Sequence, residues 1–282
     1  MMRFVRNLAL LGVIHCFMSS GVYAANKFEI DNTDTIPITS RVNQQSYELY
    51  VRLPKGYSQS KKHYPLVLIN DTSYSIATAS GILHLIEGRD IEEVILVGIS
   101  YAKGMNKLFS RTRDYTPTYA PKETGGHSIA AQQVSGKANN YVQFISEQVL
   151  PLVLDRYRIN PARKTFVGHS YGGLLGTYIL LTTPTLFESY ILGSPSYWYD
   201  NEVIFDIESA YADKNQSLPA EVYVYAGGKE GVIQKDLNKF VAILKSRQYT
   251  NFKLTSKIIP NTSHFSVFAV LLTDGLIGLY SK

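Results

Sequence analysis

The sequence predicts an α/β fold, with a mostly parallel central sheet, an antiparallel N-terminal edge and helices on both faces. Three observations carry this expectation. Residues 64–70 (Tyr-Pro-Leu-Val-Leu-Ile-Asn) and 93–99 (Glu-Val-Ile-Leu-Val-Gly-Ile) are nearly continuous apolar runs, the pattern of strands covered on both faces. A helix-like segment at 77–87 separates them, and strand, helix, strand at this spacing implies parallel pairing. Residues 164–176 then read as strand, tight turn and apolar helix, with Ser170 at the apex of Gly168-His169-Ser170-Tyr171-Gly172.

The other elements follow in chain order. Residues 35–41 and 46–53 read as strands joined by the turn Asn43-Gln44-Gln45. Tyr47, Leu49, Val51 and Leu53 alternate with Glu48, Tyr50 and Arg52, which gives the second strand one buried face. Residues 101–138 lack apolar periodicity and hold Arg111, Arg113, Asp114, Pro117, Pro121, Gly125 and Gly126, so they read as a long functional or mobile loop. A helix is expected over 139–158, with Val142, Ile145, Val149, Val153 and Tyr157 on one stripe and Pro151 kinking or dividing it. Strands at 187–193, 221–226 and 253–259 and helices at 233–245 and 268–280 complete the pattern.

The N-terminus reads as a targeting leader. Arg3 and Arg6 precede a largely apolar run, 8–18, and Val22-Tyr23-Ala24 is a small-x-small cleavage site before Ala25. The run is too short to span a bilayer, and no later stretch reaches about 18 consecutive apolar residues. An uncleaved anchor is the alternative. Cleavage after Ala24 leaves 258 of the 282 residues and removes Cys16, the one cysteine, so neither disulfides nor a cysteine nucleophile is available. The expected product is periplasmic or secreted, with no stable membrane insertion once the leader is gone. Two of the 28 basic residues leave with it, and 26 against 23 acidic residues is only mildly basic. Without a dense Lys/Arg run, nucleic-acid binding is not suggested, while an anionic substrate is tolerated. A hydrophobic content of 45% over this length can bury one sizeable core, so residues 25–282 are expected to form a single catalytic domain.

A Gly-x-Ser-x-Gly turn holds its serine in a strained conformation, so that the hydroxyl projects above the sheet. The Tyr171 N–H, opening the next helix, would point at a developing oxyanion. A chance match is the alternative, and the flanking strand and helix argue against it. A serine hydroxyl needs a base to take its proton. Of the six histidines, His15 leaves with the leader, His63 lies in a polar turn and His84 in an apolar helix. His127 falls in the long loop, and His169 should point away from Ser170. His264 lies in a polar loop just after the last strand, where an α/β-hydrolase carries its base, in the chain order serine, acid, histidine. The acid should follow a strand between the two, which selects Glu230, with Asp236 as runner-up and an acid-free dyad as a further alternative. The second oxyanion donor is expected from the backbone N–H of Thr72 or Ser73, after an early central strand. No cluster has metal-ligand spacing and no Gly-rich phosphate loop is present, so no metal or other cofactor is expected.

Taken as a set, Gly168-His169-Ser170-Tyr171-Gly172-Gly173, Arg111-x-x-Asp114-Tyr115-Thr116-Pro117, Ser194-Pro195-Ser196 and His264-x-Ser266 resemble the putative-esterase family of α/β-hydrolases. The likeness runs through most of 35–280. That family includes esterase D-like enzymes, feruloyl esterases and mycolyltransferases, and the likeness here is to its enterochelin/salmochelin-esterase-like branch. The resemblance implies a carboxylic-ester hydrolase without cofactor, with Ser170 and His264 as nucleophile and base and Glu230 at the acid position. It also implies that Arg111 meets an anionic ferric-siderophore substrate. Thr72 stands where the family's Asp-Gly pair has glycine.

The leading expectation is a serine esterase acting through an acyl-enzyme on a small-molecule ester, with the 101–138 loop and a rim of Tyr197, Trp198 and Tyr199 setting substrate choice. The alternatives are an acyltransferase of the same fold, which product analysis with added acceptors separates, and a binding protein without turnover, which a fluorophosphonate probe separates.

Overall fold

The computed structural model describes residues 29–282, and the expected leader at 1–24 lies outside them. The central strand β3 (Tyr64–Ile69) is buried at every position because both of its faces are covered. Leu66 and Leu68 belong to one core cluster, and Val67 and Ile69 to another on the opposite face. β4 (Ile95–Ile99) divides in the same way, with Ile95, Val97 and Ile99 on the first side and Leu96 on the second. Such strands show no polar alternation, as their apolar runs foretell.

Eight strands form one sheet, with order β1-β2-β4-β3-β5-β6-β7-β8. β1 (Thr33–Thr39) and β2 (Ser46–Arg52) pair antiparallel, and β2 pairs antiparallel with β4. The rest, including β5 (Ile159–His169), β6 (Ser189–Gly193), β7 (Ser217–Gly227) and β8 (Thr250–Ile259), run parallel. Helices α1 (Ser75–Ile86) and α9 (Val267–Tyr280) cover one face with Ala79, Leu83, Leu271 and Leu272. The other face receives α6 (Tyr171–Thr182) through Leu174 and Leu175, and α8 (Gly231–Arg247) through Leu237 and Phe240. This is the α/β-hydrolase arrangement.

Residues 101–138 and the stretch after β6 differ from the sequence expectation. Residues 101–138 are not an unstructured loop: they contain α2 (Lys107–Tyr115) and α3 (Ile129–Gln132). What α2 buries is mostly polar (Ser110, Thr112, Arg113 and Asp114, with Tyr115), so no apolar stripe announces it. Its ordering comes from Asp114, which accepts bonds from Arg113 Nε (2.8 Å) and the Tyr47 hydroxyl (2.9 Å). The helix expected at 139–158 is divided, as its proline foretold. α4 (Ala138–Phe144) passes through a π-helical turn, Ile145–Val149, into α5 (Leu150–Arg156), and the wider turn comes just before Pro151, whose nitrogen has no N–H to give. A helix absent from the sequence reading, α7 (Tyr199–Ala212), follows β6.

Candidate active site

The candidate groups gather on the loops beyond the C-terminal ends of the parallel strands, where such sheets open their crevice. Asp71 follows β3, Ser170 follows β5, Ser194 and Ser196 follow β6, Glu230 follows β7 and His264 follows β8.

Ser170 sits in the left-handed region (φ 61°, ψ −118°). A non-glycine residue there stores about 1–3 kcal/mol of strain. Its surroundings hold it: the N–H donates to the Gly193 carbonyl (2.8 Å), and the carbonyl accepts from the N–H of Leu174 (2.9 Å) and of Ser196 (3.2 Å). Gly168 is required by close approach, since a Cβ there would lie 2.1 Å from the Gly172 carbonyl oxygen. The Tyr171 N–H opens α6, where a helix has no internal acceptor and its dipole favours negative charge. The Ser170 hydroxyl lies 3.4 Å from Ser196 Oγ.

His264 Nδ1 lies 2.5 Å from Glu230 Oε1. The other Glu230 oxygen accepts the Ser194 hydroxyl (2.7 Å) and the Gly227 N–H. Burial raises the Glu230 pKa, but the bonds from His264, Ser194 and Gly227 outweigh it and hold the carboxyl below the ordinary glutamate range. A carboxylate on Nδ1 fixes the proton there and leaves Nε2 basic. Ser170, Tyr171, Glu230 and His264 line one cavity of about 970 Å³. Asp236 is buried on α8 near Glu202 and Lys239, and its carboxyl is pushed up by burial. Among the described residues, no group of three or more His, Cys, Asp or Glu could hold a metal ion.

Arg111 also lines this cavity, with 12% of its side chain exposed. Its partner is not Asp114, which Arg113 takes, but Asp71: Nε donates to Asp71 Oδ1 at 2.7 Å. One Nη donates to the His169 carbonyl (2.9 Å), and the other lies 3.3 Å from His127 Nε2. Burial lowers the guanidinium pKa, yet the Asp71 charge more than reverses this, so Arg111 stays charged. The Tyr101 hydroxyl donates to the same Asp71 oxygen (2.8 Å).

Thr72 and Ser73 line a neighbouring cavity of about 660 Å³, which shares Tyr101 with the first. Two expectations are corrected. Tyr197 is no rim residue. It is 1% exposed, bonded to Thr177 Oγ1 (2.9 Å) and packed on Phe240 (ring centroids 4.5 Å), because successive residues of a Tyr-Trp-Tyr run cannot all face one cavity. Trp198 does line the cavity, and Tyr199 is buried. His169 does not turn away from the site: it lines the cavity, its ring centroid 4.5 Å from that of His264. Burial, followed by the charges of His264 and Arg111, lowers its pKa to about 3, so it is neutral near pH 7. The sequence reading missed Asp71 and Ser194 as partners, although each comes just after a central strand. It also missed the apolar wall of Val232, Phe265 and Phe268.

The model of the family described as Putative esterase matches residues 40–277. The chain belongs to that family. This esterase is 28% identical over 214 residues to the ferri-bacillibactin esterase BesA of Bacillus subtilis (strain 168), covering 73% of each chain. It is 30% identical over 171 residues to a siderophore enterobactin esterase of Emericella nidulans, covering 56% of each. A solved IroE-like serine hydrolase from Shewanella oneidensis matches it with a TM-score of 0.78 at 25% identity, over 88% of this chain and 80% of that one. The esterase is thus a carboxylic ester hydrolase of the α/β-hydrolase fold.

Proposed function

We propose that this esterase cleaves esters through an acyl-enzyme on Ser170. The Ser170 oxygen attacks the ester carbonyl while His264 Nε2 takes its proton, and Glu230 holds the resulting imidazolium through Nδ1. The Tyr171 N–H receives the oxyanion at the positive end of α6. Collapse breaks the bond to the alcohol, which leaves with the proton from His264. Water then repeats the sequence and releases the acid. The observation that carries this reading is the 2.5 Å contact from His264 Nδ1 to Glu230, which leaves Nε2 free in the cavity that Ser170 also lines.

The substrate proposed is a siderophore ester. Relatives named for ferri-bacillibactin and enterobactin support it, as does the aromatic lining of the cavity, Trp198 with Tyr74, Phe265 and Phe268. The leader pattern at 1–24 supports export to the periplasm or beyond, and among the described residues no helix is long and apolar enough to cross a membrane. The test is mass-spectrometric product analysis with cyclic and linear catecholate siderophores, iron-free and ferric. Linear acids should form with the wild type and not with Ser170→Ala. Products carrying an added alcohol or sugar in place of water would show an acyltransferase instead.

A further inference from the structure

The chain leaving β6 passes Trp198 and enters α7 through three successive non-glycine residues in the left-handed region: Asp200 (φ 47°), Asn201 (φ 53°) and Glu202 (φ 64°). Each such residue costs roughly 1–2 kcal/mol, so the run persists only where its neighbours hold it. The Asp200 N–H donates to Glu123 Oε2 (2.9 Å), the Thr118 hydroxyl donates to the Asp200 carboxylate, and the Tyr199 hydroxyl donates to the Thr118 carbonyl (2.8 Å). Glu202 pairs with Lys239. The second Glu123 oxygen accepts the N–H groups of Thr124 and Gly125, both at 2.7 Å. One carboxylate therefore closes the turn at 123–125 and grips the strained turn after Trp198.

These two segments meet at the cavity. A Cβ on Gly125 would lie 2.7 Å from the Trp198 ring, and one on Gly126 would lie 2.8 Å from it and 2.3 Å from the Tyr171 hydroxyl. The glycine backbone thus lies close against the indole, and Gly125, Gly126, Tyr171 and Trp198 all line the cavity, with Tyr74, Phe265 and Phe268 also in its wall. Glu123 is not among the lining residues.

We propose that Glu123 is a positioning residue for substrate specificity: by clipping the 123–126 turn to the segment after Trp198, it holds the indole as a fixed flat wall against which an ester with a planar aromatic group binds. This rests on the reading that the cavity turns over esters at Ser170. Small aliphatic esters need no such wall.

Trp198 is the one tryptophan of the chain, so its emission reports this wall directly. In Glu123→Ala the emission should shift to the red and acrylamide quenching should rise about twofold. KM for ethyl benzoate should rise about tenfold, while kcat/KM for ethyl acetate, both followed by acid release, stays within about twofold. Glu123→Gln, which keeps one oxygen acceptor, should fall between, and it serves if the alanine variant does not fold. Unchanged emission and quenching in the variant studied would overturn the proposal, as would equal losses on both esters. The fluorescence measurement needs no turnover, so a failure of the ester-hydrolysis reading is distinguishable from a failure of the Glu123 clip.

Discussion

His264 and Glu230, 34 residues apart in sequence, meet at 2.5 Å between Nδ1 and Oε1, with the second Glu230 oxygen held by the Ser194 hydroxyl at 2.7 Å. These contacts keep the carboxylate ionised and hold the imidazole through Nδ1; in the proposed mechanism this fits its other nitrogen for proton transfer. Glu230→Gln should keep the fold but lower kcat by roughly 10³-fold or more, as loss of an orienting carboxylate does in serine triads. Ser194→Ala should cost less, about tenfold, because His264 and the Gly227 N–H still hold the carboxylate. Steady-state kinetics on p-nitrophenyl butyrate check both, and a wild-type rate in Glu230→Gln would favour a dyad.

Arg111 and Asp71 form a buried pair that also ties α2 to the His169 carbonyl, next to Ser170. Removing one partner strands a buried charge, so Arg111→Ala should destabilise the protein by about 3–5 kcal/mol and lower activity on neutral and anionic esters alike. Adding Asp71→Asn should recover much of the melting temperature. A variant that kept its stability and lost only anionic substrates would assign Arg111 to recognition alone.

Two histidines in the cavity wall should make the protein acid-sensitive. Burial first, then the Arg111 charge, lowers His127 to about 4; burial, then His264 and Arg111, lowers His169 to about 3, against the opposing pull of Asp71 and Glu230. The unfolded chain protonates both near pH 6.5, so between that value and about 3–4 it binds protons that the folded chain does not. Stability is therefore full above about pH 6.5 and falls as the pH drops through this window. Melting temperatures from pH 7.5 to 4 should decline, and more shallowly in His127→Asn.

The fold was legible where burial follows apolar pattern. Tyr64–Ile69 and Ile95–Ile99 are buried on both faces and read as central strands from composition alone. The tight turn at Ser170 was legible because its close contact, Gly168 against Gly172, admits only glycine. α2 was not, since Arg113 and Asp114 are buried by pairing with each other, and apolar periodicity does not register an ion pair. α7 opens on left-handed residues that no helix start signal describes. The register of Tyr197 and Trp198, which decides core against cavity, depends on how the chain leaves β6. His169 likewise faces inward because of the strained turn, which alternation from the preceding strand does not foresee.

The assignment of Ser170 as nucleophile is tested most directly by labelling with a fluorophosphonate and mapping the adduct by peptide mass spectrometry. A single adduct on Ser170, formed in step with the loss of esterase activity and absent from Ser170→Ala, is the predicted result. An adduct on another residue, or full ester hydrolysis by Ser170→Ala, would contradict it.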